Sequence, residues 1–500
     1  MKMKEKTGVF ICDCGGTQFL EKDRSNITCR DIFHLSTLCT EPELSSIAKP
    51  VREKGLSRIV FAGCSPVGNR ELLERIAQKA GLTPSAVFGV NIRQERSVEQ
   101  AVSAINRGIR ALSLMPSFEV RSIPLDRRVL IIGGGIAGIE TASDIAAMGY
   151  DTTLVERSVK NGIPELPKGV KVYTGSRLFD LSGHVGSFNA GIHTPLGDKH
   201  LTCGAVVLAA GIVDNPLHNN NFMVSMNEIE GTVSNLRRKN GMRPIGLILD
   251  ITIDETKASM ETALKLCLKL QKRGSLQMHL FCREARVSAP GLEELYDEAR
   301  EAGVNIVKYE DRPSLKEGEE GVSITCRDSI LHEEISLHCD FVGISTRGIA
   351  SAADSALARI TGVSLDSLGQ MQDNNIHLFP EQTNRPGIFV VGSCRGQDYI
   401  PQIITEARVA ALAVHSLLEK GSVEIELSGA VVDEDKCILC LTCVRSCPFN
   451  AMQVDREKGT AISIPEACQK CGICAGECPA KAIELPVFSN QVLLSQIEIV

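Results

Sequence analysis

The sequence predicts an α/β protein with a nucleotide-binding fold at its centre and a small cysteine-rich domain at its C-terminal end. Three observations predict it. Residues 129–157, "VLIIGGGIAGIETASDIAAMGYDTTLVER", set a strand, a glycine-rich turn, a helix and a second strand in unbroken register. Residues 242–310 return to strand–helix alternation through "RPIGLILDI", "ETALKLCLKLQKRG", "LQMHLFC", "GLEELYDEAREAGV" and "NIVKY". Two near-copies of one cysteine pattern, starting at Cys437 and Cys468, close the chain thirty-one residues apart.

Five hundred residues suggest about three or four domains. Residues 1–115 form the first, a small α/β unit with strands in "TGVFIC" and "RIVFAGC" and helices near 41–54 and 69–80. Two prolines and a charge cluster make 115–128 a linker. The nucleotide-binding domain takes 127–241, β-rich from 170 to 213, and resumes over 320–420 with the buried strand in "GIFVVGSCRG" and a helix near 401–419. Residues 242–319 are a second domain of similar rhythm. A second linker at 419–430 leads to the cysteine-rich domain, 430–486, and a tail, 487–500.

Composition excludes several classes. A net charge of −7, a pI near 5.9, no tryptophan and 4% aromatic residues offer neither a basic footprint nor a stacking platform for nucleic acid. No apolar run approaches the roughly 18 residues of a membrane span. Nineteen cysteines with no export signal in "MKMKEKTGVFICDCGG" lead to an expected cytoplasmic location. Cys267, Cys282, Cys326 and Cys339 fall in helix or strand patterns and read as core residues.

Each C-terminal run reads C-x2-C-x2-C-x3-C-P. In this spacing three thiolates wrap one [4Fe–4S] cube and the fourth cysteine reaches the other. One cluster then takes Cys437, Cys440, Cys443 and Cys478, and the other Cys468, Cys471, Cys474 and Cys447. Paired CxxC also binds zinc. Zinc, however, requires neither the third cysteine nor the proline, and here the whole pattern occurs twice.

After the strand "RVLII", Gly133, Gly135 and Gly138 make GxGxxG: a tight turn, a close backbone approach to a pyrophosphate, and close helix packing. The helix start at 136–139 directs free N–H groups at the phosphates. Glu156 ends the next strand, where an acid holds a ribose hydroxyl. Spacing alone does not separate FAD from NAD. "VVLAAGI" (206–212) and "GIFVVGSCRGQDYIPQIITEARVAA" (387–411) resemble the corresponding stretches of two-dinucleotide-domain, thioredoxin-reductase-like flavoproteins. That resemblance implies FAD, with Gly392 and Ser393 at the ribityl chain and the helix from about Pro401 aimed at the isoalloxazine. It adds Ile136, Ala137, Arg157, Leu178, Ala210, Gly211, Ile400 and Gln402 to the flavin-contacting set. The second domain has no glycine-rich turn in "IGLILDITIDE", so no nicotinamide site is read there, and no CxxC occurs outside 437–478.

Cys12, Cys14, Cys39 and Cys64 fall at strand or loop ends. They read either as a converging cluster site or as buried strand residues beside incidental thiols. "GVFICDCGG", "RIVFAGCSP", "NIRQERS", "VLIIGGGIAGIE", "GHVGSF", "ELYDEAREAGV", "RPGIFVVG" and the double cysteine run together resemble the A-type subunit of heterodisulfide reductase, an iron–sulfur flavoprotein, over nearly the whole chain. The resemblance implies an N-terminal [4Fe–4S] cluster on those four cysteines, FAD in the middle, and ferredoxin clusters that pass electrons to partner subunits. It implies an electron-transfer subunit of a multi-subunit anaerobic oxidoreductase, homo-oligomeric within a larger complex. The partners would be B- and C-type subunits, ferredoxin, and an input subunit (hydrogenase, formate dehydrogenase or NADH-oxidising), with flavin-based electron bifurcation as the family mode. Two departures stand out. "VERSVKNGIPELPKGVKVY" lacks the family's P-x-I-G-G stretch and the ferredoxin domain that methanogen members insert there, and "ASMETALKLCLKLQKRG" lacks the second-domain cysteine pair. A non-flavin electron conduit, on the shortened 157–170 stretch, and an NAD(P)H:ferredoxin oxidoreductase are the alternative readings.

Overall fold

The computed structural model describes residues 6–12, 14, 25–66, 70–159, 167–211, 221–234, 242–249, 256–346, 352–371 and 381–497. At the N-terminus, Thr7–Cys12, Asp31–Leu35, Arg58–Gly63 and Val87–Asn91 form an all-parallel sheet in the spatial order second, first, third, fourth. Strand periodicity divides its side chains between two cores. Phe10 and Cys12 pack on one side with Leu44, Ile47 and Ile76, while Val9 and Ile11 pack on the other with Ala101, Ile105 and Leu112 of the helix Val98–Leu114. The Ser97 side chain starts that helix by accepting from the Gln100 amide.

Two further sheets share one plan. The first, all parallel, runs Ile388–Val390, Ala205–Leu208, Arg128–Ile132, Asp151–Val155, Val170–Tyr173. The second, also parallel, runs Met223–Ser225, Phe341–Ile344, Arg243–Ile248, Leu276–Cys282, Asn305–Lys308. Three strands of the first sheet and four of the second precede a three-stranded antiparallel meander, and the chain then returns to the sheet. The meanders are Arg177–His184, Ser187–Thr194, Gly197–Cys203 and Ser314–Glu317, Val322–Arg327, Glu334–Cys339.

This repeat corrects the sequence boundaries. Met223–Ser225 and the stretch from Val322 to Ile344 belong with the second sheet, not with the flavin domain. Antiparallel meander strands carry no strand–helix rhythm, so the rhythm ends near 310 while the domain continues. The linkers also differ from expectation. Val120–Pro124 pairs antiparallel with Ser422–Glu426, so both connections meet in one ribbon, with Ile123 opposite Val423. The tail is ordered through Ile497: the helix Asn490–Ile497 lies against Val98–Leu114 and buries Val492 and Ser495. Cys267, Cys282, Cys326 and Cys339 are buried as expected, and burial pushes the Cys326 thiol up to about 11.

The cysteine-rich domain is pseudo-symmetric. Its short helices Thr442–Ser446 and Ile473–Glu477, and its ribbons Val431–Val432 with Ile483–Glu484 and Met452–Asp455 with Thr460–Ser463, enclose a common core.

Candidate functional site

The glycine loop separates packing glycines from an open one. Gly133 has φ +116°, and a Cβ there would lie 2.2 Å from the Ala209 carbonyl oxygen. A Cβ on Gly138 would lie 1.9 Å from the Gly133 carbonyl oxygen. Strand and helix thus meet at distances only glycine permits. Gly135 differs: its φ of −76° suits any residue, and among the described residues a Cβ would meet no atom within 4 Å. Packing therefore does not require glycine here, and the space beside it is open. Gly135 is also the N-cap of the helix Ile136–Ala147, which no side chain caps. An open space at an uncapped helix N-terminus fits a phosphate group.

Glu156 turns back onto this loop. Its carboxylate accepts from the Gly134 amide and from the Ser158 amide, each at 2.6 Å. Glu156→Ala would strand both donors, and charge-assisted bonds are worth about 1.5–3 kcal/mol each. We expect a lower melting temperature, with Glu156→Gln, which keeps one carbonyl acceptor, between the two; thermal unfolding of both variants checks this.

The last strand completes the same edge. Gly392, at φ +76°, places its Cα so that a Cβ would be 2.8 Å from the Ala137 Cβ, and the Cys394 amide donates to the Ala210 carbonyl. Gly392 and Ala137 therefore meet, with Ala210 tied to the same turn. Gly211 faces open space, Ser393 is half-buried, and the helix Ile400–Leu418 begins without a side-chain cap. Ile400 and Gln402 are exposed at that start, Ile136 is exposed at the first helix, and Arg157 is exposed beside the half-buried Glu156. Leu178 is a core residue packed with Leu130, Ile132 and Val155.

The cysteine-rich domain contains two cavities. One is lined by Cys437, Cys440, Cys443 and Cys478, the other by Cys447, Cys468, Cys471 and Cys474. Each thus combines three cysteines of one run with the fourth of the other. Burial pushes the Cys474 thiol up to about 11. A bound metal, which deprotonates its thiol ligands, offsets that penalty.

The chain bends around both cavities at matched positions. Leu439, Leu441 and Asn450 in the first run, and Lys470, Gly472 and Lys481 in the second, all have positive φ. Five of these six are not glycine, and each such residue costs about 1–2 kcal/mol. Backbone amides point at the sulfurs: Ala451 to Cys447 and Ala482 to Cys478 within each run, Ala461 to Cys437 and Ala430 to Cys468 between them. The sequence reading missed these alanines. The signal was present: Ala430 and Ala461, like Ala451 and Ala482, repeat at the same thirty-one-residue interval as the cysteines.

One cavity faces inward. Asn450 donates to the Leu181 carbonyl in the Arg177–His184 strand, Phe449 packs where a Cβ on Gly362 would be 2.9 Å from its ring, and Arg121 pairs with Glu466. The other cavity is rimmed by exposed Ile438, Leu439 and Cys440.

At the N-terminus the four cysteines leave the carboxyl edge of adjacent parallel strands. Cys12 ends the first strand, Cys64 follows the third and Cys39 follows the second. The strand order reverses between the first and third, and such switch points are where open parallel sheets bind ligands. Cys12 is buried, Cys64 half-buried, and Cys14 and Cys39 exposed; Arg93 donates to the Cys12 carbonyl. Cys14 adopts φ +43°.

A family model described as "Pyridine nucleotide-disulphide oxidoreductase" matches residues 128–183, and one described as "4Fe-4S binding domain" matches 430–453. The fold and these matches define an oxidoreductase of the iron–sulfur flavoprotein class. Over its length the chain is similar to the A-type subunit of heterodisulfide reductase, the resemblance its motifs carry. An A-type iron-sulfur subunit of CoB–CoM heterodisulfide reductase from Methanopyrus kandleri is 21% identical, over 91% of this chain and 92% of its own. Its counterpart from Methanocaldococcus jannaschii is 22% identical over 92% and 93%. The alignment with the first runs over 608 positions, so that relative carries segments this 500-residue chain lacks. Thioredoxin reductase of Lactococcus lactis overlaps 59% of this chain and 99% of its own at 17% identity and a TM-score of 0.40. No described helix is long and apolar enough to cross a membrane.

Proposed function

We propose that the chain is the FAD- and cluster-bearing electron-transfer subunit of a multi-subunit anaerobic oxidoreductase. The carrying observation is the pair of cavities lined by crossed cysteine sets, one of them against the domain with the open glycine loop. In this reading Cys437, Cys440, Cys443 and Cys478 hold one [4Fe–4S] cluster, and Cys447, Cys468, Cys471 and Cys474 hold a second. FAD lies along Gly135, the start of the 136–147 helix, Gly211, and Gly392 with Ser393. Glu156 holds the loop and reaches the ribose; Glu156→Ala weakens flavin binding by about ten- to a hundredfold. Cys12, Cys14, Cys39 and Cys64 hold a third cluster at the switch point of the N-terminal sheet. The cofactors supply two-electron and one-electron chemistry when bound, and the chain supplies position, burial and hydrogen bonds.

The partners are heterodisulfide-reductase-type subunits, ferredoxin and a dedicated input subunit, with flavin-based bifurcation as the mode of the complex. The relatives' names support this, as does the outward cavity, whose rim of Ile438, Leu439 and Cys440 is open to a partner. The isolated chain should not reduce viologen dyes with NADH or NADPH, and should gain that activity beside an input subunit. Rapid NADH-dependent dye reduction by the lone polypeptide would contradict this and favour the NAD(P)H:ferredoxin oxidoreductase reading.

A further inference from the structure

Arg385 is 1% exposed, the largest of the fully buried side chains. Its guanidinium donates to the Thr361 carbonyl at 2.7 Å and the Gly183 carbonyl at 3.0 Å, and stands over the rings of Phe188 and Phe449. No carboxylate pairs with it among the described residues. Burying an unpaired charge is strongly unfavourable, so this arginine requires a counter-charge.

The geometry supplies one candidate. Thr361, which Arg385 holds, precedes Gly362, and Gly362 abuts Phe449 and the Pro448 carbonyl, directly after Cys447. Phe449 and Cys447 both line the inward cavity. Cys447 is also the charged group whose field acts on the guanidinium, while burial pulls the guanidinium down to about 10. Among the described residues the outward cavity has no equivalent. Ala480 stands there where Phe449 stands in the other, and its nearby cation, Arg445, is exposed and screened by water.

We propose that Arg385 is the built-in counter-charge of the inward cluster, raising its reduction potential above that of its pseudo-symmetric twin. This rests on the two-cluster reading. A four-thiolate [4Fe–4S] group is anionic and gains one further negative charge when it accepts an electron. A buried, unscreened cation therefore stabilises the reduced form more than the oxidised one. Arg385 acts as a positioning and tuning residue; it ligates nothing.

The test is a redox titration of the anaerobically reconstituted full chain, followed by electron paramagnetic resonance. Arg385→Gln keeps an amide donor for the carbonyls and removes the charge. One of the two potentials should fall by at least tenfold in the reduction equilibrium, about 59 mV for a one-electron couple. The signal that moves should be the one lost in Cys471→Ala and kept in Cys440→Ala. Arg385→Lys, which retains the charge, should restore most of the shift. Both clusters present with neither potential moved, or both moved equally, overturns the proposal. If Arg385→Gln does not fold, Arg385→Lys decides: a near-native potential supports the proposal, and a full tenfold fall overturns it. A wild type with no reducible cluster would instead sink the reading beneath it.

Discussion

Gly135→Val should give a folded, iron-bearing protein that holds no flavin. The backbone of Gly135 is in an ordinary extended conformation, and among the described residues no atom lies within 4 Å of its missing side chain. A valine there strains nothing in the protein and fills the approach to the helix N-terminus. If that space is where the pyrophosphate meets the backbone, affinity should fall by at least about a hundredfold, roughly 3 kcal/mol. Gly138→Val is the internal control. Its Cβ would collide with the Gly133 carbonyl at 1.9 Å, so it should lose stability and flavin together. Flavin content beside iron content and melting temperature separates the two. Full flavin in Gly135→Val would place the cofactor elsewhere.

The second large effect is a crossed loss of clusters. Cys447 lies in the first run but lines the cavity of Cys468, Cys471 and Cys474, and Cys478 lies in the second but lines that of Cys437, Cys440 and Cys443. Cys447→Ala should therefore abolish the inward cluster and spare the outward one, with Cys478→Ala doing the reverse. Each variant should drop from about eight C-terminal irons to about four. Pairing each single variant with Cys471→Ala or Cys440→Ala identifies which cluster is gone. Cys447→Ala with Cys471→Ala should lose nothing beyond the single variant, whereas Cys447→Ala with Cys440→Ala should lose both clusters. Additive loss in the first pair would contradict the crossed assignment.

The parts legible in the sequence were those that chemistry confines to short spacings. The glycine loop and the cysteine runs are local, because a tight turn and a C-x2-C-x2-C-x3-C run each fix their residues within a dozen positions. Relations between distant segments were not legible. The 120–124 strand finds its partner at 422–426, three hundred residues away, and nothing in "FEVRSIP" states that. The second sheet takes back Phe341–Ile344 after a meander with no strand–helix rhythm. Nothing in "QTNRPGIF" marks Arg385 as buried; only the fold shows it enclosed by Phe188, Phe449, Thr361 and Gly183. Leu178, a site residue by resemblance, has its side chain in the core beside Leu130 and Ile132.

The central claim is that one polypeptide carries a flavin and two [4Fe–4S] clusters. The direct measurement is metal, sulfide and flavin analysis of the anaerobically reconstituted chain. The account predicts one FAD and about eight irons with matched sulfide, or about twelve if the N-terminal site is filled. Zinc in place of iron, or a chain that takes up clusters but no flavin, would contradict it.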